Sequence, residues 1–152
     1  MRLLVPTNWD VGLIKPLSQV GAHIQIFGVL PTSTMGSGMS GPDIAQMTTR
    51  QAGEYIRLAH SAGLTFNYLL NAPCMNNMEW HEDTYWELLQ DLEWFSSAGV
   101  DGVTVTIPYL LELIKYQFPH LKVEVSTIAH VNSVARAKLF ESLGADSIIL
   151  DS

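Results

Sequence analysis

Three glycines, Gly63, Gly99 and Gly144, constrain this chain more than any other feature. Each closes a helical pattern and opens a short apolar run. Ser61-Ala62-Gly63 and Ser97-Ala98-Gly99 repeat the device nearly letter for letter, and Leu143-Gly144-Ala145 does the same. A glycine there takes the left-handed conformation that ends a helix and lets the chain double back. Repeated at intervals of one βα unit or a small multiple, it specifies helices alternating with parallel strands.

The elements follow from that frame. Thr48 to Ala62 is predicted helical. Thr48 and Gln51 have capping-box spacing, and Ala52, Tyr55, Ile56 and Ala59 form one face. Thr84 to Ala98 carries Tyr85, Leu88, Leu89, Leu92 and Phe95 at the same period. Tyr109 to Phe118 follows Pro108, a residue suited to a first helical turn. Asn132 to Leu143 is the last helix, with Asn132 the expected N-cap. Asp10 to Val20 forms a short helix with Pro16 as a blemish in its interior. The strands are Leu3–Val5, His23–Leu30, Leu64–Leu70, Gly102–Ile107, Lys122–Ser126 and Ser147–Leu150.

Strand–helix alternation implies an α/β fold with a parallel sheet. Two architectures fit six strands and five helices in one domain over residues 1–152. One is an incomplete (βα) barrel of the TIM type. The other is a doubly wound, flavodoxin-like parallel sheet, which this length favours, because a complete eight-strand barrel needs about 250 residues.

Composition narrows the function. Only 15% of the 152 residues are charged and 47% are hydrophobic, which is a globular balance. The net charge of −7 and a pI near 5.0 do not indicate nucleic-acid binding. The single Cys74 permits no internal disulfide and no multi-cysteine metal site. No apolar run is long enough to cross a membrane or to serve as a signal peptide, so a cytoplasmic protein is expected.

In either architecture ligands bind beyond the C-terminal ends of the strands, so the loops there hold the candidates. After the first strand stand Asn8 and Asp10, suited to a turn or cap. After the second comes the Gly/Ser-rich Thr32–Gly41, a candidate lid whose spacing matches no phosphate-binding loop. After the third comes Asn71-Ala72-Pro73-Cys74-Met75-Asn76-Asn77-Met78-Glu79, rich in donors and acceptors with one thiol and one carboxylate. After the fifth come Ser126, Thr127 and His130. No metal-ligand spacing occurs, and no metal site is expected.

Three stretches resemble the collagenase-like peptidase family, peptidase family U thirty-two. Leu69-Leu70-Asn71 with Asn77 and Glu79 beyond it is similar to a family strand ending in Asn, followed by Glu. Val100-Asp101-Gly102 through Pro108 is similar to the Gly-Val-Asp strand. Phe118 through Ser126-Thr127, Asn132 and Leu143-Gly144-Ala145 resembles the succeeding strand, helix and strand. Ile128 stands where the family usually has Gln, and the Arg expected after Phe27-Gly28 is absent.

The resemblance favours the barrel and implies the N-terminal portion of an enzyme. The reaction expected is a hydrolase or an oxygen-transfer, hydroxylase-type reaction on a small or polymeric substrate. Glu79 is the expected general acid/base, and Asn8, Asn71, Asn77, Ser126 and Thr127 are the expected substrate contacts. Some relatives use later cysteines for an iron–sulfur cluster. The cofactor is otherwise unknown, and this chain alone forms no such cluster. The alternative is a non-catalytic subunit or fragment. A six-strand series leaves two sheet edges open, so the expected partner is a second copy or a complementary barrel half.

Overall fold

The computed structural model describes residues 2–38 and 47–151. Six strands form one sheet: β1 (Arg2–Pro6), β2 (His23–Gly28), β3 (Thr65–Leu70), β4 (Gly102–Val105), β5 (Lys122–Val125) and β6 (Ser147–Ile148). Every neighbouring pair is parallel, and the order is β1-β2-β3-β4-β5-β6. A doubly wound sheet reverses its strand order at a switch point. This one never reverses, so the flavodoxin-like alternative is excluded.

Among the described residues, five helices lie between the strands: α1 (Ile14–Ser18), α2 (Thr49–Ser61), α3 (Glu82–Ala98), α4 (Pro108–Gln117) and α5 (Val134–Ser142). Sequential right-handed crossovers place such helices on one face, and the sheet curls away from them. The curl is visible in one ion pair. Arg2 on β1 reaches Glu124 on β5, across three intervening strands. The fold is an incomplete TIM-like barrel.

The three glycine stops are three copies of one structure. Gly63, Gly99 and Gly144 have φ of +79°, +82° and +101°. The residue after each donates back over the helix end: Leu64 N–H to Ala59, Val100 N–H to Phe95 and Ala145 N–H to Phe140. That six-to-one bond is the Schellman motif. Next, Asp101 and Asp146 each turn a carboxylate onto the neighbouring strand. Asp101 accepts from Phe66 N–H at 2.7 Å and Asp146 from Val123 N–H at 2.7 Å.

Several local expectations hold. Thr48 and Gln51 make both halves of the capping box, and Pro108 stands in the first turn of α4. Pro16 lies in the first turn of the short α1, where its missing N–H leaves no bond unmade. One expectation fails. The N-cap of α5 is Ser133, whose side chain accepts from Arg136 N–H, so Asn132 lies one residue outside the helix.

The core lies between the convex face and the helices. Ile24, Ile26, Phe66, Tyr68, Leu70, Val103, Val105, Val123 and Val125 point outward from the sheet, all 4% exposed or less. They meet Ala52, Ile56 and Ala59 of α2, Leu88, Leu92 and Phe95 of α3, and Leu110, Leu111 and Ile114 of α4. Burying each large side chain contributes about 1.5–3 kcal/mol.

Candidate functional site

The opposite face of the same strands is polar. Buried there are Gln25 on β2, Asn67 on β3, Thr104 on β4 and Glu124 on β5, with Asn71, Thr106 and Ser126 just past the strand ends. Side chains two apart on a strand share a face, so the outward valines dictate where these polar groups point. Several find partners across the concavity. Thr104 Oγ1 donates to Asn67 Oδ1 at 2.7 Å, and Ser147 Oγ to Glu124 Oε2 at 2.8 Å. Arg2 adds its guanidinium to the same Glu124 oxygen.

At the C-terminal mouth the network opens into a recess of about 220 Å³. Its polar groups are Asn71, Ser126, Thr127, Thr104, Gln25 and the carboxylate of Glu124. Leu4, Phe27, Leu69 and Ile149 supply apolar wall. Asn71 is the hub. Its Nδ2 donates to Ser126 Oγ at 3.1 Å, its Oδ1 accepts from Gly38 N–H at 2.9 Å, and its carbonyl accepts from Thr106 Oγ1 at 3.1 Å. Ser126 Oγ also accepts from Ile128 N–H at 3.2 Å. Ser126 is therefore both a turn cap and a recess wall.

Residues 39–46, which include the end of the candidate lid, lie outside the described residues. Gly38, in the loop after β2, lines this recess. A Cβ added there would come within 2.3 Å of Ile128 Cδ1. A larger residue there would have to displace the end of the Ile128 side chain.

The structure brings together three of the six expected site residues: Asn71, Ser126 and Thr127. The others stand apart from this recess. Asn8 is exposed, and its Oδ1 accepts from Asp10 N–H at 3.2 Å in a tight turn. Asn77 is exposed, with φ +65° at the start of a short 3-10 turn, Met78–Trp80. Glu79 lies in that turn and lines a second recess, with Trp80, His81, Glu82, Tyr85 and Tyr109. Cys74 is exposed. His130 is 70% exposed at its side chain and pairs with Asp151 at 2.9 Å.

Gln25, Asn67, Thr104 and Glu124 were not singled out by the loop-based reading. Their signal was in the sequence. A strand buried on both faces should be apolar throughout. Phe66-Asn67-Tyr68 and Val123-Glu124-Val125 alternate instead, which marks an inner face built for polar contacts.

Ionisation follows local burial. Burial pushes the Tyr68 hydroxyl up to about 12, although Leu30 N–H donates to it at 2.9 Å. Burial likewise raises Asp91 on α3, whose carboxylate accepts from Thr34 N–H. Among the described residues, no three His, Cys, Asp or Glu side chains gather as a metal site would require.

The sequence pattern that defines peptidase family U32 matches residues 43–151. The chain belongs to peptidase family U32. A solved structure, that of the U32 peptidase Mk0906, is 27% identical, with a TM-score of 0.78. The alignment covers 99% of this chain and 57% of that one, so the chain spans little more than half of that relative. A glycerol uptake operon antiterminator regulatory protein from Listeria monocytogenes is 12% identical, with a TM-score of 0.53. That match covers all of this chain and 80% of the other, and it speaks to the fold alone. No curated protein matches. No helix among the described residues is long and apolar enough to cross a membrane.

Proposed function

We propose that this chain is the substrate-holding, N-terminal barrel portion of a U32-type hydrolase acting on polypeptide. The observation that carries the reading is the buried Asn71–Ser126 pair at the mouth of a polar concavity. A peptide bond offers one carbonyl acceptor and one N–H donor. Asn71 Nδ2 and the Ser126 and Thr127 hydroxyls offer donors, and Asn71 Oδ1 and the hydroxyls offer acceptors. Donors held in place by a rigid sheet end stabilise charge developing on a carbonyl oxygen without reorganising. Glu79 lines the second recess, away from Asn71 and Ser126, so this reading gives it no acid/base role on a bond held at Asn71.

The concavity is half a barrel, and we propose that a partner completes it. Among the described residues, strands β1 and β6 each have one unpaired edge, and open edges recruit further strands. A second copy or a complementary half would close the wall opposite Asn71. In sedimentation, an assembly larger than one chain is expected; a lone monomer would count against completion by association.

The assay is proteolysis of a denatured protein by the completed assembly. Asn71→Ala should lower kcat/KM by about a hundredfold, the scale of losing one pre-placed donor. Unchanged proteolysis would remove Asn71, and the reading with it.

A further inference from the structure

The recess around Glu79 has a chemistry of its own. Its volume is about 270 Å³. Glu79 Oε2 is shielded from solvent and, among the described residues, has no hydrogen-bond partner. Among the described residues no lysine, arginine or histidine is ion-paired with Glu79. A shielded carboxylate oxygen with no donor is costly to maintain. The structure holds it there without offering a compensating group.

The surroundings are aromatic. Trp80 is 67% exposed, an unusual display for an indole, and its ring stacks on Tyr109 with centroids 4.8 Å apart and planes tilted 48°. Tyr85 lines the same recess, and Glu82 adds a second carboxylate. The Tyr109 hydroxyl is held above its ordinary range, by burial first and then by the neighbouring Tyr85 and Glu79. The rings of Trp80 and Tyr109 carry electron-rich faces. Rings and a carboxylate converging on one space attract a cation twice, through the ring quadrupoles and through charge.

We infer that this recess is a binding site for an organic cation, the alkylammonium or guanidinium end of a basic side chain. Glu79 supplies the counter-charge, Trp80 and Tyr109 the ring faces, and the apolar stem lies along Trp80. The local fold explains the placement. Asn77, at φ +65°, turns the chain into the 3-10 turn that carries Glu79 and Trp80. Pro108 starts α4, so Tyr109 stands at the helix entrance facing them. The inference does not depend on the hydrolase reading, because none of these residues lines the Asn71 recess.

Nuclear magnetic resonance of the whole chain tests it. The probes are Nα-acetyl-lysine methylamide, Nα-acetyl-arginine methylamide and the uncharged Nα-acetyl-norleucine methylamide. The four tryptophans give four indole N–H signals, and Trp80→Phe identifies one. The Trp80 signal should shift saturably with the lysine or arginine probe and not with norleucine. Whichever of the two binds more tightly tells ammonium from guanidinium. Glu79→Gln should weaken binding by about tenfold, and Tyr109→Leu by about threefold. The other three indole signals report that each variant is folded. Equal response to norleucine, undiminished binding by Glu79→Gln, or no saturable shift at all would overturn the site. None of those outcomes bears on proteolysis through Asn71.

Discussion

The two faces of β3 make opposite demands on adjacent residues. Phe66, Tyr68 and Leu70 look outward into a shell of helices, while Asn67, Leu69 and Asn71 look into the concavity. Phe66 and Asn67 are both buried, at 0% and 3% exposure. Phe66 packs against Trp9, with ring centroids 5.2 Å apart. Asn67 takes a hydrogen bond from Thr104 beside an open cavity of about 430 Å³ at the N-terminal end. Equal burial thus conceals different work. The outer face supplies cohesion, and the inner face holds polar groups in place.

Substitution at those two positions is the sharpest way to break the contrast. Phe66→Ala should cost about 3–5 kcal/mol, because the ring leaves a cavity that close-packed neighbours cannot fill. Asn67→Ala should cost about 1 kcal/mol, since Thr104 loses one partner and can turn to solvent in the cavity. Urea unfolding midpoints of the two variants measure both. Comparable losses would mean that the inner face carries the fold as much as the outer does.

A smaller effect probes the inner face alone. Arg2 reaches Glu124 from an exposed position, whereas the Glu124 side chain is only 6% exposed. Arg2→Met should destabilise by about 1 kcal/mol: breaking a pair around a buried charge is expensive, but an exposed partner is screened. The double variant with Glu124→Gln should recover part of that loss in the same unfolding experiment. Failure to recover would show that Arg2 acts through its packed stem and not through its charge.

This division of labour was half legible in the sequence. The glycine stops at Gly63, Gly99 and Gly144 announced the βα series, because a Schellman turn has a local signature. The capping box at Thr48 and the proline at Pro108 were legible for the same reason. The curl was legible through the family resemblance and not through local pattern, since it emerges from strand order; the Arg2–Glu124 pair makes it plain. Asn71, Ser126 and Thr127 line the mouth because they closely follow strand ends. Asn8 and Glu79 also lie in loops after strands, but turns carry them elsewhere: Asn8 is spent on Asp10 N–H, and Glu79 swings toward Tyr109. Loop position gives the end of the barrel; it does not give the direction a side chain takes after several irregular residues. Asn132 failed as a cap by one residue because Ser133 competes for the same task. Trp9 was also missed. It adopts φ +65° to bury its indole, a conformation that only tertiary packing can enforce on so large a side chain.

The smallest effect belongs to the rim where the two faces meet. Asp146 braces β5 through Val123 N–H and meets Lys115 of α4. Burial alone would raise its carboxyl. The hydrogen bonds from Lys115 and Val123 N–H, with the charges of Lys115 and Lys122, outweigh that and hold it below the usual carboxylate range. The folded state therefore binds this proton less readily than the unfolded chain does. Asp146 contributes stability that is fully present above about pH 4, the unfolded value. That contribution disappears as pH falls through the lowered folded value. Its side chain is 41% exposed, so solvent screening limits it to about 0.5 kcal/mol. Asp146→Asn should lower the unfolding midpoint slightly at pH 7, and the difference should shrink as pH falls below about 4. A constant difference across that range would assign the brace to hydrogen bonding alone. Asp91 runs the other way, since burial raises its carboxyl. Acidification from pH 7 then relieves a cost at α3 before it removes the support at Asp146, and the helical shell should loosen later than the β5–β6 rim.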